Sequence, residues 1–136
     1  MKKIHILLIS LIILIISISA VSAGLFGDDN KDKIKVDNLQ VTDDGYGMYK
    51  INCDLVANEK IDYLEMVVIF YDDSGAILEK TPIAWNMNSV PEGQTIKVDG
   101  TGFVTSGTPA KAEVYFIDDV LDEDLSNAIF NETVEI

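Results

Sequence analysis

The chain has 136 residues and a net charge of −13, from ten basic residues, all lysine, against 23 acidic ones. A surface this acidic repels phosphate backbones and anionic headgroups, which sets nucleic acid aside as a partner. There is no arginine, one histidine (His5) and one cysteine (Cys53), so an intrachain disulfide is impossible and most nucleophile and zinc chemistry lacks its parts.

Residues 1–23 have the features of an export signal. Lys2 and Lys3 precede 22 uncharged residues, Ile6 to Gly27, and the run closes on Ala20-Val21-Ser22-Ala23-Gly24, with small residues where signal peptidase needs them. Asp28 and Asp29 follow, so the charge asymmetry places the rest of the chain outside the cytoplasm. The alternative is an uncleaved anchor helix, since about 20 apolar residues suffice to span a bilayer. No cysteine stands where a lipoprotein would carry one. Cleavage after Ala23 takes His5, Lys2 and Lys3 away, leaving eight lysines against 23 acids and a net charge of −15. Residues 24–32 read as a polar linker and 33–136 as one domain.

The mature chain reads as short strands parted by turn signals. Ile34 to Val41 is the first strand, with a phase change between Val36 and Leu39 that predicts a bulge. Asp43-Asp44-Gly45 is the expected turn. Met48 to Ala57 alternates, with Tyr49, Ile51, Cys53 and Leu55 on one face. Tyr63 to Tyr71 is apolar on both faces over Val67-Val68-Ile69-Phe70, as a central strand should be. Asp72-Asp73-Ser74-Gly75 signals a tight hairpin into Ala76 to Thr81, and Pro82 to Val90 reads as irregular. After Pro91-Glu92-Gly93 come a strand at Thr95 to Asp99, a turn at Ser106 to Pro109, and an inward set of Ala112, Val114 and Phe116. Asp118 to Asn127 is an acidic connection, and Ile129 to Ile136 is the last strand. The expected fold is all-β, an immunoglobulin-like β-sandwich of about seven antiparallel strands.

Part of this chain resembles a known module. Asn58, the run Val68-Ile69-Phe70-Tyr71-Asp72 with Gly75, and Pro91-Glu92-Gly93-Gln94 are similar to the FxLYD-type immunoglobulin-like domain of exported bacterial and archaeal proteins. Val68 stands where that family has Phe, and Phe70 where it has Leu; Tyr71 and Asp72 agree. The resemblance implies an extracytoplasmic accessory or binding module and brings no catalytic residues. The composition, rich in Ile, Asn, Lys and Asp, also resembles that of exported proteins of AT-rich methanogenic archaea.

Five features are candidate sites. Cys53, on the apolar face of its strand, reads as a small core residue. Trp85, among Asn86, Met87 and Asn88, suits either sugar stacking or closure of one end of the sandwich. Asp118, Asp119, Asp122, Glu123 and Asp124 form either a solvated loop or an oxygen-rich site for Ca²⁺, without the glycine and terminal Glu of an EF-hand. Asn131-Glu132-Thr133 is a glycosylation sequon. Val67, Ile69 and Tyr71, with Tyr115 and Ile117, fall on the outward side of two strands and would form an exposed apolar-aromatic stripe, unless the linker or the Trp85 segment covers it.

These readings favour a non-catalytic interaction module, secreted or anchored at the cell surface, whose partner is a protein or glycan of the cell envelope. Contact with the membrane would come only through an uncleaved amino-terminal segment. A Ca²⁺-dependent structural or adhesive protein is the alternative, and a carboxylate-pair glycosidase a remote one.

Overall fold

The computed structural model describes residues 32–121 and 124–136. The expected leader, and the expected linker up to residue 31, lie outside them, as do Asp122 and Glu123 of the acidic connection.

Seven strands follow one another: β1 (Ile34–Gly45), β2 (Met48–Ala57), β3 (Ile61–Tyr71), β4 (Ile77–Val90), β5 (Thr95–Phe103), β6 (Lys111–Ile117) and β7 (Phe130–Glu135), with a 3₁₀ turn, η1 (Leu125–Asn127), before the last. They form two antiparallel sheets, ordered β1-β2-β5 and β4-β3-β6-β7. Hairpins join β1 to β2, β3 to β4 and β6 to β7, and the other connections cross from one sheet to the other. The protein is therefore an all-β, sandwich-like domain.

Period-two alternation builds the core. Tyr49, Ile51, Cys53, Leu55 and Ala57 turn inward from β2, and Leu64, Met66, Val68 and Phe70 turn inward from β3, all within one buried cluster. One rung crosses the four-stranded sheet on its inner face: Trp85 pairs with Met66, Met66 with Phe116, and Phe116 with Phe130. Its rings meet edge to face, Trp85 with Phe116 at 6.2 Å and Phe116 with Phe130 at 5.9 Å. Further along the same inner face the opposite sheet meets Phe70 through Tyr49, the two rings lying 5.2 Å apart.

The bulge expected in β1 is present, as a register shift between Asp37 and Gln40 with Asn38 at φ 56°. The turn expected at Asp43-Asp44-Gly45 lies further along. Gly45 still pairs with Met48, and the loop is Tyr46-Gly47, both at positive φ. That geometry matches the right-handed twist of the flanking strands. The β3–β4 hairpin is where the sequence put it. Asp72 Oδ1 accepts from Ser74 N at 2.9 Å, Ser74 Oγ at 2.6 Å and Ala76 N at 2.9 Å.

The segment read as irregular, Pro82 to Val90, continues β4. Thr81 pairs with Val68 and Trp85 with Met66, so Pro82, Ile83 and Ala84 together oppose Val67 alone. A proline is tolerated here because β4 is an edge strand and the bulge needs no ladder donor from it.

Candidate functional site

The outer face of the four-stranded sheet gathers most of the residues that sequence reasoning singled out. With Val68 and Phe70 committed to the core, Glu65, Val67, Ile69 and Tyr71 of β3 point the other way. Register sets them beside Ile117, Tyr115, Glu113 and Lys111 of β6, respectively. This face has a polar half and an apolar half.

In the polar half, Tyr71 and Tyr115 both donate their hydroxyls to Glu113 Oε2, at 2.6 and 2.7 Å. Lys111 Nζ lies 5.2 Å from the centre of the Tyr71 ring. The bond from Tyr115, then that from Tyr71, hold the Glu113 carboxyl below its usual range. Desolvation first, and then the ionised Glu113, push Tyr71 up to about 12, and Tyr115 moves up for the same reasons in the same order. A tyrosine that keeps its proton longer when folded stabilises the fold fully below the unfolded value near 10, and that contribution is lost as pH rises toward 12. Wild-type stability, read by urea unfolding at successive pH values, is thus expected to fall between pH 10 and about 12, and Tyr71→Phe to show a shallower fall. Parallel falls in the two proteins would contradict this cluster.

The apolar half is built from a bulge and a turn. The β4 bulge holds Ile83 at φ 51°, and the Ile83 amide donates to Glu65 Oε1 at 3.2 Å. Tyr63 Oη donates to Glu65 Oε2 at 2.6 Å. Glu65, 6 % exposed, is the buried charged residue of the domain among the described residues. Across from the bulge, η1 is capped by Asp124, whose Oδ1 accepts from Ser126 N at 2.9 Å. It brings Leu125 and Ala128 against Val67 and Ile117. Between bulge and turn lies a cleft of about 430 Å³, lined by Glu65, Val67, Pro82, Ile83, Ile117 and Leu125, with Lys80 and Val120 completing it. Ile83 is 58 % exposed and Val120 61 %, and Leu121 beside it 87 %.

Of the two readings of the stripe, the covered one holds for most of it, but among the described residues the cover over Val67 and Ile117 is not the Trp85 segment. Val67, Ile69 and Ile117 point outward but are only 3 %, 8 % and 7 % exposed. For Val67 and Ile117 the cover comes from Leu125, Ala128 and Tyr115. Tyr71 and Tyr115 are half-buried, with their hydroxyls engaged. Trp85 is half-buried as well, and turns inward against the core instead of presenting an open ring for a sugar. Cys53 is buried and its thiol is pushed up to about 12, first by burial and then by Asp54.

The acidic residues that are described do not converge. Asp118 Oδ2 lies 2.7 Å from Lys33 Nζ, Asp119 Oδ1 accepts from Leu121 N at 2.9 Å, and Asp124 caps η1. Among the described residues no three His, Cys, Asp or Glu side chains group to hold a metal ion. Asn131 is exposed on the edge strand β7, paired with Tyr115.

Sequence reasoning missed Glu65, Ile83, Val120 and Leu125. A lone acid inside the otherwise apolar run Leu64 to Phe70 was the available signal for the first. Ile83 depends on a bulge that Pro82 only hints at. No protein-family model matches the chain, and no curated protein is significantly similar to it.

Proposed function

We propose that this chain is an exported, non-catalytic interaction module that binds a protein of the cell envelope through the cleft on its four-stranded sheet. The leader supports export, to a secreted or surface-anchored location. Two sheets of three and four strands, with β2–β3, β4–β5 and β5–β6 crossing between them, support an immunoglobulin-type sandwich. The FxLYD resemblance fits the same reading: Asp72 builds the β3–β4 hairpin and Tyr71 docks on Glu113.

One observation carries the binding site. Ile83 is a β-branched residue held at positive φ with 58 % of its surface in water, at the rim of a cleft. Positive φ is costly for a β-branched side chain, by about 1–3 kcal/mol, and exposure removes the burial that would offset it. A partner that covers the rim supplies that burial. Trp85, the reason to consider a glycan, is engaged with Phe116, which favours a protein partner.

Ile83→Asn relieves the strain and removes the apolar rim, because Asn tolerates this region of φ. The expected result is an unchanged or higher melting temperature together with loss of envelope-protein capture by the immobilised domain. Val120→Ser should behave likewise, while Gln40→Asp on the opposite sheet keeps capture. Retained capture by Ile83→Asn and Val120→Ser would remove the cleft as the site.

A further inference from the structure

Resting on the cleft as the binding site, we infer that its occupant is a lysine side chain, flanked by apolar residues, of a partner polypeptide. Glu65 is the reason. It lines the cleft with 6 % of its surface exposed, and among the described residues its two oxygens accept from neutral donors, the Tyr63 hydroxyl and the Ile83 amide. Among the described residues no lysine makes an ion pair with it. Each carboxylate oxygen has a second lone-pair site, and a buried carboxylate without a counter-charge gains strongly from one.

The walls specify the rest of the ligand. Val67, Ile117 and Leu125 form an apolar passage beside the carboxylate. A lysine has the complementary form, four methylenes ending in a compact ammonium with three donors. Arginine's planar fork is matched best by two free, parallel lone pairs, whereas here the Tyr63 and Ile83 donors already take one site on each oxygen, which favours a compact ammonium. The exposed parts of Ile83 and Val120, at 58 % and 61 %, carry this apolar lining outward to the rim. A free amine would leave that rim wet, and a peptide segment would cover it. The acidity of the whole chain, net −13, steers a basic partner toward it.

Lys80 is the one cation lining the cleft among the described residues. It is exposed, with no ion pair among the described residues. It would compete with the incoming ammonium, so its removal should not weaken binding.

The test titrates the domain with acetyl-Leu-Lys-Leu-amide, its norleucine counterpart and hexylammonium, following methyl and amide resonances by NMR. The lysine peptide is expected to shift Val67, Ile117 and Val120, and to bind about tenfold tighter than the norleucine peptide and tighter than hexylammonium. Glu65→Gln should erase the preference for lysine over norleucine. Val120→Lys, at an exposed rim position, should do the same by repulsion and serves if Glu65→Gln fails to fold. Lys80→Met should leave lysine binding equal or tighter. Equal affinity for the lysine and norleucine peptides in the wild type would overturn the lysine assignment while leaving an apolar docking site. Hexylammonium binding as tightly as the lysine peptide would overturn the polypeptide assignment. No shift at the cleft with any probe would overturn the lysine assignment, and retained capture by Ile83→Asn would separately remove the site itself.

Discussion

Phe70→Ala is expected to destabilise the domain by about 3–5 kcal/mol, enough to unfold most of a marginally stable population. Phe70 is fully buried on the central strand, and its ring forms the bridge between the sheets. On one side it meets Tyr49. On another it meets Gly102 of β5 so closely that a Cβ there would stand 2.7 Å from Cε2 and 2.8 Å from Cζ. Gly102→Ala should therefore cost about 1–3 kcal/mol through overpacking. The two positions share one volume, so their effects should not add. Combining Gly102→Ala with Phe70→Leu should cost measurably less than the sum of the single changes, with coupling of about 0.5 kcal/mol or more. Urea denaturation of the four proteins reads this directly; additive losses would show that Phe70 and Gly102 do not pack against each other.

Gly47→Val should be nearly as damaging, by about 3 kcal/mol or more, for reasons that involve no core volume. Gly47 sits at φ 76° in the β1–β2 loop, and a side chain there would run into the carbonyl oxygen of Val104. The Gly47 carbonyl in turn accepts from Val104 N at 2.8 Å, which ties the hairpin tip to the chain leaving β5. A β-branched residue adds left-handed strain of about 1–2 kcal/mol to a clash with backbone that cannot rotate away. Gly45→Val tests the account by contrast. Gly45 has φ 87°, but no atom lies within 4 Å of a Cβ placed there, so the strain should act alone and the loss be smaller. Equal losses at the two glycines would contradict the Val104 contact.

How far the fold could be read from sequence depended on where side-chain alternation survives. β2 and β3 were legible because Tyr49 to Leu55 and Val67 to Phe70 face a core on one side or both. The β1 bulge was legible because Val36 and Leu39 change phase across it. β5 was read only to Asp99 because Gly100 and Gly102 look like breakers. In the fold they are the positions where Met66 Sδ and the Phe70 ring come within 2.9 and 2.7 Å of where a Cβ would stand. From sequence β4 ends at Thr81 and gives way to an irregular segment, because its inner positions run Glu79, Thr81, Trp85, Met87, polar near one end of the strand and apolar near the other, with a bulge between.

The candidate site was half legible for the same reason. Alternation correctly turned Val67, Ile69, Tyr71, Tyr115 and Ile117 outward. It could not say that a one-turn helix from the acidic connection would fold back over Val67 and Ile117. Nor could it say that two tyrosines would share one carboxylate. The exposed apolar surface accordingly lies not on the strand stripe but around it, at Ile83 from β4 and Val120 from the β6–β7 connection.

Site-specific photo-cross-linking in cells that make this protein tests the proposed placement most directly. A photoreactive residue at position 83 or 120 should give a defined covalent adduct with an envelope protein, and the same residue at position 40, on the opposite sheet, should give none. Adducts from position 40 with none from 83 or 120 would contradict the account.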